Sequence, residues 1–350
     1  MKKTFVEAIN DALHIAMRGD DKVIAYGLGI DDPKAIFETT KNLGQAFGKD
    51  RVFDMPISEN AMTGVAVGVA LGGYRPILVH QRLDFALLSL DQIVNSAAKW
   101  YYMFGGGRPV PMVIRMIIGR GWGQGPTHSQ ALHAWLAHIP GLKVVMPSTP
   151  ADAKGLLLSS IADNNPVLFL EHRWLHNSVG EVPEGDVREP LGTAAVIRAG
   201  SDLTIAGFSL MVAEARRAAA HLEAHGVHAE LIDLRTIRPI DWPAIEASVR
   251  KTGRLIALDI GSHTGSVAGE IVSHITEVAF DRLKAAPARI CLPDHATPTS
   301  PALTRRYYPG AAEIVAAAER MLGRDLAAGA LADDGSKPHD VPGDWFKGPF

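Results

Sequence analysis

The chain has 350 residues, which is long enough to form two domains of ordinary size. Its 35 basic and 38 acidic residues give a formal net charge of −3, so no basic excess points to a nucleic-acid-binding protein. A single cysteine, Cys291, excludes a disulfide framework within the chain and is typical of a protein of the reducing cytoplasm.

The first half of the chain alternates helical and strand-like patterns. Apolar residues at helical spacing predict a helix over 4–18, and polar residues within it, such as Glu7, distinguish it from a signal peptide. Three more helices are predicted after it: one that begins at 58, one over 87–103 and one over 150–163. The predicted strands are 23–26, 76–80, 110–115, 142–146 and 166–170. This alternation predicts a parallel sheet with helices on both faces.

Residues 178–190 are rich in proline and acidic residues, which predicts a linker between two domains. After the linker the strands predicted are 203–206, 229–233 and 254–259, and the helices are 211–225, 241–251 and 266–282. The sequence therefore predicts an α/β protein with two parallel-sheet domains, over 1–177 and 191–324. Residues 325–350 form a tail with aromatic residues near its end, and this tail either docks on a partner or is disordered.

Glu59 is the first candidate for chemistry. It follows a short apolar run (Val52 and Phe53), then Pro56 and Ser58, and a helical pattern begins directly after it. This layout places a carboxylate at a strand-to-helix junction, where it can face a ligand. An acidic residue is also favoured in a first helical turn by the helix dipole alone, and the local pattern does not decide between the two explanations.

The helix after Glu59 carries Gly64, Gly68 and Gly72 on one stripe. Small residues spaced in this way let a second helix approach closely. The stripe predicts a helix–helix contact between two copies of the chain.

Three further segments contain candidate site residues. A glycine-rich loop at 119–127 ends in His128, and a histidine there could transfer protons near neutral pH or simply be exposed beside a helix cap. Phe85 lies in a non-periodic stretch, where it could stack on a flat heterocycle or belong to the core. At 160–166 a proline ends a helix, and the free carbonyl groups there are satisfied by water, by Asn side chains or by a monovalent cation.

Taken together, these segments resemble the beta subunit of thiamine-diphosphate-dependent 2-oxoacid dehydrogenases. These proteins are the first components of the pyruvate, branched-chain oxoacid and acetoin dehydrogenase complexes. The matching stretches run in order almost to Leu322, and they are 51–59, 91–99, 102–106, 128–130, 140–145, 152–155, 163–166, 233–236 and 309–314. The resemblance implies a transketolase-like pyrimidine-binding domain over 1–177 and a transketolase C-terminal-like domain over 191–324.

The resemblance also implies roles for four residues. Glu59 matches the catalytic glutamate that hydrogen-bonds the N1′ nitrogen of the cofactor's aminopyrimidine ring, and Phe85 matches the aromatic residue packed on that ring. Leu28 is expected beside the cofactor, where family members usually carry an acidic residue. His128 matches a catalytic histidine of the active-site channel that assists acyl transfer to the lipoyl arm.

Ions and partners are implied by the same resemblance. In the family the alpha subunit holds the diphosphate and magnesium through a Gly-Asp-Gly…Asn motif, which this chain lacks. The expected partners are therefore an alpha subunit, with which the chain would form an α2β2 heterotetramer, and a lipoyl acyltransferase. The residues that match a potassium site built largely from backbone carbonyl groups are Met112, Ser160, Ile161, Asp163 and Asn165.

The chain departs from the family near the expected substrate. The stretch 80–84, normally apolar, contains His80 and Arg82, and 261–265 lacks the usual acidic or aromatic residues. The main hypothesis is decarboxylation of a 2-oxo acid, or cleavage of acetoin, with acyl transfer to a lipoyl domain. One alternative is a split transketolase-like carboligase that acts on a polar or sugar-like substrate. The other is a catalytically silent structural subunit.

Overall fold

The computed structural model describes residues 1–32, 34–120 and 123–332. The described residues form two compact units. The first comprises Met1–Gly119 and Trp135–Leu191, and the second comprises Arg120–Ala134 and the chain from Gly192 onward. The sequence-based division placed 120–134 in the first domain, whereas the described part of this segment clusters with the second unit. None of the described helices is long and apolar enough to cross a membrane.

The strands of the first unit form one parallel sheet and one small antiparallel pair. They are β1 (Lys2–Thr4), β2 (Val23–Gly27), β3 (Val52–Phe53), β4 (Arg75–His80), β5 (Val113–Ile118), β6 (Lys143–Val145), β7 (Val167–His172) and β8 (Val179–Glu181). In the parallel sheet, the strands of this unit lie in the order β6-β7-β5-β4-β2-β3. β1 pairs with β8 in antiparallel register. The predicted parallel sheet is confirmed, and its strands are almost completely buried because helices cover both faces.

Seven α-helices in the described part of the chain accompany these strands. They are α1 (Phe5–Gly19), α2 (Leu43–Phe47), α3 (Glu59–Leu71), α4 (Leu83–Ala86), α5 (Ala98–Met103), α6 (His133–His138) and α7 (Pro150–Ala162). α1 begins with a capping box in which the Thr4 and Glu7 side chains each accept a hydrogen bond from the other residue's backbone N–H. Helices α1, α3 and α7 lie close to their predicted positions.

Two predicted elements of the first unit differ from the structure. The strand expected at 110–115 lies further along as β5, because Pro109 and Pro111 have no N–H to contribute to a sheet. The helix expected over 87–103 begins earlier, with α4, and passes through a 3₁₀ turn at Leu87–Ser89 and a π-helix at Gln92–Ala97 before α5. Such departures from α-helical geometry are frequent near functional sites.

The second unit has a smaller sheet. Its strands are β9 (Ala195–Arg198), β10 (Leu203–Gly207), β11 (Ala229–Asp233), β12 (Thr236–Arg238), β13 (Leu255–Ser262) and β14 (Ala288–Leu292). Five of them form a sheet in the order β14-β13-β10-β11-β9, in which only β9 is antiparallel to its neighbour. The helices are α8 (Leu210–Ala224), α9 (Trp242–Thr252), α10 (Val267–Ala279), α11 (Pro301–Tyr307) and α12 (Ala311–Leu322). This is the second α/β domain that the sequence predicted.

The predicted tail begins at residue 325, but its first residues pack on the second unit. Leu326 is completely buried, its carbonyl oxygen lies 2.7 Å from His221 Nε2, and its N–H donates to Glu319 Oε1 at 3.0 Å. A 3₁₀ turn follows at Ala328–Leu331. The aromatic end of the tail, for which partner docking was predicted, lies outside the described residues.

Candidate active site

The carboxyl ends of the parallel strands bring three predicted residues of the first unit to one edge of its sheet. Leu28 follows β2, Glu59 lies shortly after β3, and Phe85 lies in the helix after β4. In open α/β sheets, ligands bind in the crevice outside the carboxyl ends of the strands. The fold therefore supports a ligand site here.

The Glu59 side chain is buried and has no hydrogen-bond or ion-pair partner among the described residues. Glu59 is the first residue of α3 and is 8% exposed. Among the described residues, no hydrogen bond or ion pair involves its carboxylate. A buried carboxylate is costly unless it is hydrogen-bonded, and a role limited to the helix dipole would not require burial. Within the described part of the chain, the Glu59 carboxylate is therefore available to a ligand.

The start of α3 is held against the sheet by Tyr26 on β2. The Tyr26 hydroxyl donates to the Met62 carbonyl oxygen at 2.8 Å. Its ring stacks on Phe53, with the ring centroids 5.1 Å apart and the planes 6° from parallel. Burial of this side chain raises the pKa of Tyr26, so the hydroxyl remains a donor at neutral pH. These contacts fix the first turn of α3 and thereby position Glu59.

Leu28 and Phe85 are half-buried and line the same edge. The Leu28 carbonyl oxygen accepts a hydrogen bond from Gln81 Nε2 at 3.0 Å, which ties the loop after β2 to the segment after β4. The Phe85 N–H donates to the Arg82 carbonyl oxygen at 3.2 Å within the first turn of α4. A half-buried ring at this position can pack on a planar ligand as well as on the protein.

Basic side chains gather at the ends of β4 and β7. His80 is the last residue of β4 and His172 the last of β7, and both are 2% exposed. The Arg82 Nη1 donates to the carbonyl oxygen of Gly119 at 3.2 Å. A Cβ on Gly119 would lie 2.1 Å from His172 Nε2, so only glycine fits between these side chains. The sequence pattern indicated His80 and Arg82 as polar residues near the expected substrate. It did not indicate that His172 and Arg173 lie in this group.

Arg173 is a buried cation next to this group. It is 8% exposed, and its guanidinium carbon lies 4.4 Å from the centroid of the Phe37 ring. Burial and, to a smaller extent, the charge of Arg82 lower the pKa of Arg173 to about 10, while the charge of Glu38 opposes the shift. Arg173 therefore remains protonated at neutral pH, although it lies in the field of a second guanidinium.

The buried carboxylate of β7 is paired within the sheet. Glu171 accepts hydrogen bonds from Arg115 at 2.6 and 2.9 Å, and both side chains are completely buried. Although burial opposes ionisation, the charge of Arg115 and hydrogen bonding from His176 and Arg115 hold the pKa of Glu171 below its usual value. Glu171 is thus already neutralised by Arg115 within the sheet.

His128 lies in the second unit, in the segment that was predicted to meet substrate. Its ring is half-buried, and its Nδ1 atom lies 3.1 Å from the Thr127 hydroxyl. Further along, the completely buried His133 side chain bonds Asp259 Oδ1 on β13 through Nε2 at 2.8 Å. This contact spans 126 residues and anchors the segment to the second unit. It was not visible in the sequence.

The predicted potassium residues lie together around the C-terminal end of α7. Two of their carbonyl oxygens, those of Ile161 and Asp163, accept hydrogen bonds from Arg75 Nη1 at 3.0 and 2.8 Å. The carbonyl oxygen of Ser160 accepts from the N–H of Asp163 at 3.3 Å. The Asp163 carboxylate forms an ion pair with Lys143 and accepts from Asn165 Nδ2 at 3.0 Å.

Met112 lies on the neighbouring strand end. It is 2% exposed, and its carbonyl oxygen accepts from the N–H of Val167 at 3.0 Å. Across the described ranges, no group of three or more His, Cys, Asp or Glu side chains could hold a metal ion. A potassium ion here would depend on backbone oxygens, and those of Met112, Ser160, Ile161 and Asp163 already accept one hydrogen bond each.

Two family models match successive parts of the chain, and the first of them includes 120–134. Residues 1–177 match the family described as transketolase, pyrimidine binding domain, and residues 192–314 match transketolase, C-terminal domain. The chain is 43% identical over 325 residues to the acetoin:2,6-dichlorophenolindophenol oxidoreductase subunit beta of Cupriavidus necator, covering 90% of this chain and 96% of that protein. It is also 43% identical over 313 residues to the pyruvate dehydrogenase E1 component subunit beta of Rhizobium meliloti, covering 89% of this chain and 68% of that protein.

A solved structure supports the fold. It is described as a split gene transketolase, inactive beta4 tetramer, and it superimposes with a TM-score of 0.74 over 91% of this chain and 98% of the other. The two sequences are 24% identical, so this likeness concerns the fold alone.

Proposed function

We propose that this chain, which belongs to the family of the acetoin oxidoreductase and pyruvate dehydrogenase beta subunits, is the beta subunit of a thiamine-diphosphate-dependent oxidoreductase. The enzyme would decarboxylate a 2-oxo acid or cleave an acyloin such as acetoin, and pass the acyl group to a lipoyl domain. The observation that carries the proposal is the buried Glu59 carboxylate, which has no partner within the described chain.

The residues at the sheet edge fit the pyrimidine half of thiamine diphosphate. Glu59 would bind a ring nitrogen of the pyrimidine and hold or release a proton at its carboxyl oxygen. Phe85 would pack on the ring, and Leu28 would border it. When bound, the cofactor supplies an electron sink for cleaving the bond next to a carbonyl group. The contribution of this chain is to orient the ring and to supply the proton.

The diphosphate and magnesium are assigned to a separate alpha subunit, in an α2β2 heterotetramer. The sequence has no Gly-Asp-Gly…Asn motif, and the relatives are themselves described as beta subunits. The stripe formed by Gly64, Gly68 and Gly72 would make the contact between the two beta subunits. Gly68 is exposed, and a Cβ built on it would meet no atom within 4 Å, so this part of α3 is open to a partner helix.

His128 is proposed to assist transfer of the acyl group. An imidazole titrates near neutral pH and can donate or accept the proton that moves during transfer. The competing acceptor is an aldehyde, as in a carboligase, and it is favoured by the polar residues His80 and Arg82 near the predicted substrate position.

The identity of the acceptor can be tested with the reconstituted αβ complex. The complex is incubated with a 2-oxo acid and either a lipoyl domain or a panel of aldehydes, and acyl-lipoyl and ligated products are measured. We expect transfer to the lipoyl domain, reduced by about 10- to 100-fold in His128→Ala, which removes a proton-transfer group. Products formed only with aldehydes would discard the dehydrogenase assignment in favour of the carboligase.

A potassium ion is proposed at the C-terminal end of α7. Each carbonyl oxygen has two lone pairs, so the hydrogen bonds from Arg75 and from backbone N–H groups leave one free for a cation. The negative end of the α7 dipole favours a cation at this place.

The ion should change the stability of the complex. We expect potassium chloride to raise the melting temperature by about 2 to 4 °C over choline chloride at equal ionic strength, because an ion that binds only the folded state stabilises it. The measurement is differential scanning calorimetry, with sodium chloride as a second control. Identical melting temperatures in all three salts would contradict a potassium ion here and leave Arg75 and the backbone N–H groups as the partners of these carbonyl oxygens.

A further inference from the structure

We propose that the buried contact between His133 and Asp259 positions His128 for acyl transfer, because it fixes the segment 123–134 on the second unit. This inference rests on the proposed function and deepens it, since it adds a positioning residue to the step that His128 is proposed to assist. The family resemblance implies a role for His128 but none for His133 or Asp259.

His133 lies where the connections of the second sheet diverge. β10 and β13 are neighbours in this sheet, and the chain leaves β10 through α8 towards β11 on one side and β13 through α10 towards β14 on the other. In open α/β sheets, such a switch point at the carboxyl ends of the strands is the usual place for a ligand. The His133 ring packs edge-on against Phe208, directly after β10, with the ring centroids 5.2 Å apart, and it bonds Asp259 on β13. A side chain of the protein itself therefore lies where such sheets bind ligands.

The Asp259 carboxylate uses both of its oxygen atoms in this arrangement. Its Oδ1 accepts from His133 Nε2 at 2.8 Å and from the N–H of Gly261 at 2.7 Å. Its Oδ2 accepts from the N–H of Ala268, in the first turn of α10, at 3.2 Å. Although burial opposes ionisation, the charge and hydrogen bond of His133 and the two backbone N–H groups hold the pKa of Asp259 below its usual value. Because an ionised carboxylate only accepts hydrogen bonds, His133 Nε2 carries a proton in this contact.

The complete burial of both side chains makes the contact specific for one arrangement. A buried polar pair adds little net stability compared with apolar residues of similar size, because both groups lose their contact with water. Separating the two partners is nevertheless strongly unfavourable, since each is left buried without its hydrogen bond. Displacement of His133 would have this cost, so the contact holds the segment 123–134 in one position.

A glycine near the end of β13 lets the segment approach the strand closely. A Cβ on Gly261 would lie 3.0 Å from Cε1 of His133 and 3.3 Å from the carbonyl oxygen of Ala131. A side chain at this position would therefore press on the segment and displace it. The stretch 261–265 is one of the places where the sequence departs from the family, and Gly261 gives that departure a structural role.

His128 lies between this contact and a second group of contacts with the same unit. Before His128, the guanidinium carbon of Arg120 lies 4.0 Å from the centroid of the Tyr308 ring, and the backbone of Gly125 lies beside Thr299. A short loop that is held at both ends restricts the positions of the imidazole between them. Misplacing a catalytic group by about 1 Å can cost about 100-fold in rate, so the effect of His133 on transfer is exerted through His128.

Two acceptors separate this role from a general effect on stability. The reconstituted αβ complex is assayed with a 2-oxo acid or acetoin and either a lipoyl domain or 2,6-dichlorophenolindophenol, a dye that takes up electrons without an acyl group. We expect His133→Leu to lower the rate of transfer to the lipoyl domain by about 10- to 100-fold and the dye-linked rate by less than about 2-fold. In combination with His128→Ala it should cause no further loss of transfer, because both substitutions impair the same step.

Glutamine is the conservative replacement for His133. Its Nε2 is as many bonds from Cβ as the histidine Nε2 and can donate to Asp259, and His133 Nδ1 has no hydrogen-bond partner among the described residues that the change would remove. His133→Gln should therefore transfer acyl groups at a rate within about 5-fold of the unsubstituted complex. His274→Leu is the matched control, since His274 of the same unit bonds Glu246 Oε1 through Nε2 at 2.9 Å but lies on α10, outside the segment. It should leave both rates unchanged.

Hydrogen exchange in the same complex reports on the segment without turnover. Peptides that cover 123–134 should exchange at least about 10-fold faster in His133→Leu than in the unsubstituted complex or in His133→Gln. Equal losses with the lipoyl domain and the dye, a transfer rate of His133→Gln as low as that of His133→Leu, or unchanged exchange would overturn the proposal. Faster exchange in His133→Leu, in a complex whose unsubstituted form turns over no 2-oxo acid or acyloin, would instead retain the anchoring contact and remove the proposed function.

Discussion

Replacement of Glu59 by glutamine is expected to reduce turnover of the reconstituted αβ complex by about two or more orders of magnitude, the usual scale for a removed proton-transfer group. Glutamine keeps the size and the hydrogen-bonding reach of the side chain but cannot take up or release the proton. The steady-state rate at saturating thiamine diphosphate and substrate measures the effect. The folded state should not suffer, because the carboxyl group that is replaced has no hydrogen-bond partner among the described residues.

Glu7→Gln provides the matched control. Glu7 is also a first-turn acid of a helix in the same unit, but it is exposed and its carboxylate caps the Thr4 N–H at 2.7 Å. This change should cost no more than about 1 kcal/mol of stability and leave turnover unchanged. If Glu59→Gln and Glu7→Gln were equally active, the chain would be a catalytically silent structural subunit. The helix-dipole explanation of Glu59 would then be sufficient.

The regular elements of the fold could be predicted where the pattern is strong. Continuous apolar runs gave β2, β4 and β7, and the 3.6-residue period gave α1 and α7. The irregular stretch from α4 to α5 was predicted as one helix. Its 3₁₀ and π turns depend on what packs around it, and local sequence does not contain that information.

In the candidate site, too, features set by neighbouring residues could be predicted, whereas contacts between distant parts of the chain could not. The strand-to-helix position of Glu59 could be inferred from neighbouring residues, but its burial without a partner could not. His172 and Arg173 were missed because their relation to Arg82 depends on β7 lying beside β5, although β6 separates these strands in the chain. The contact of His133 with Asp259 likewise joins residues 126 positions apart.

Replacement of Gly68 by leucine is expected to disrupt the assembly while leaving the subunit folded. Gly68 lies on the exposed side of α3, and a Cβ there would meet no atom within 4 Å in the isolated chain. A leucine side chain therefore has room in the subunit and should be well tolerated in a helix. At a close helix–helix contact between two beta subunits, the same side chain would overpack the interface in both copies, because a two-fold contact repeats each change.

Size-exclusion chromatography with light scattering of the reconstituted complex measures the outcome. We expect the α2β2 species to be replaced by αβ or free subunits, with the circular dichroism spectrum of the beta subunit unchanged. Ala220→Leu is the control, since Ala220 is a small, exposed residue on α8 of the second unit, outside the proposed contact. An intact Gly68→Leu tetramer would place the two-fold contact elsewhere, whereas loss of assembly in Ala220→Leu as well would show a general effect of added surface hydrophobicity.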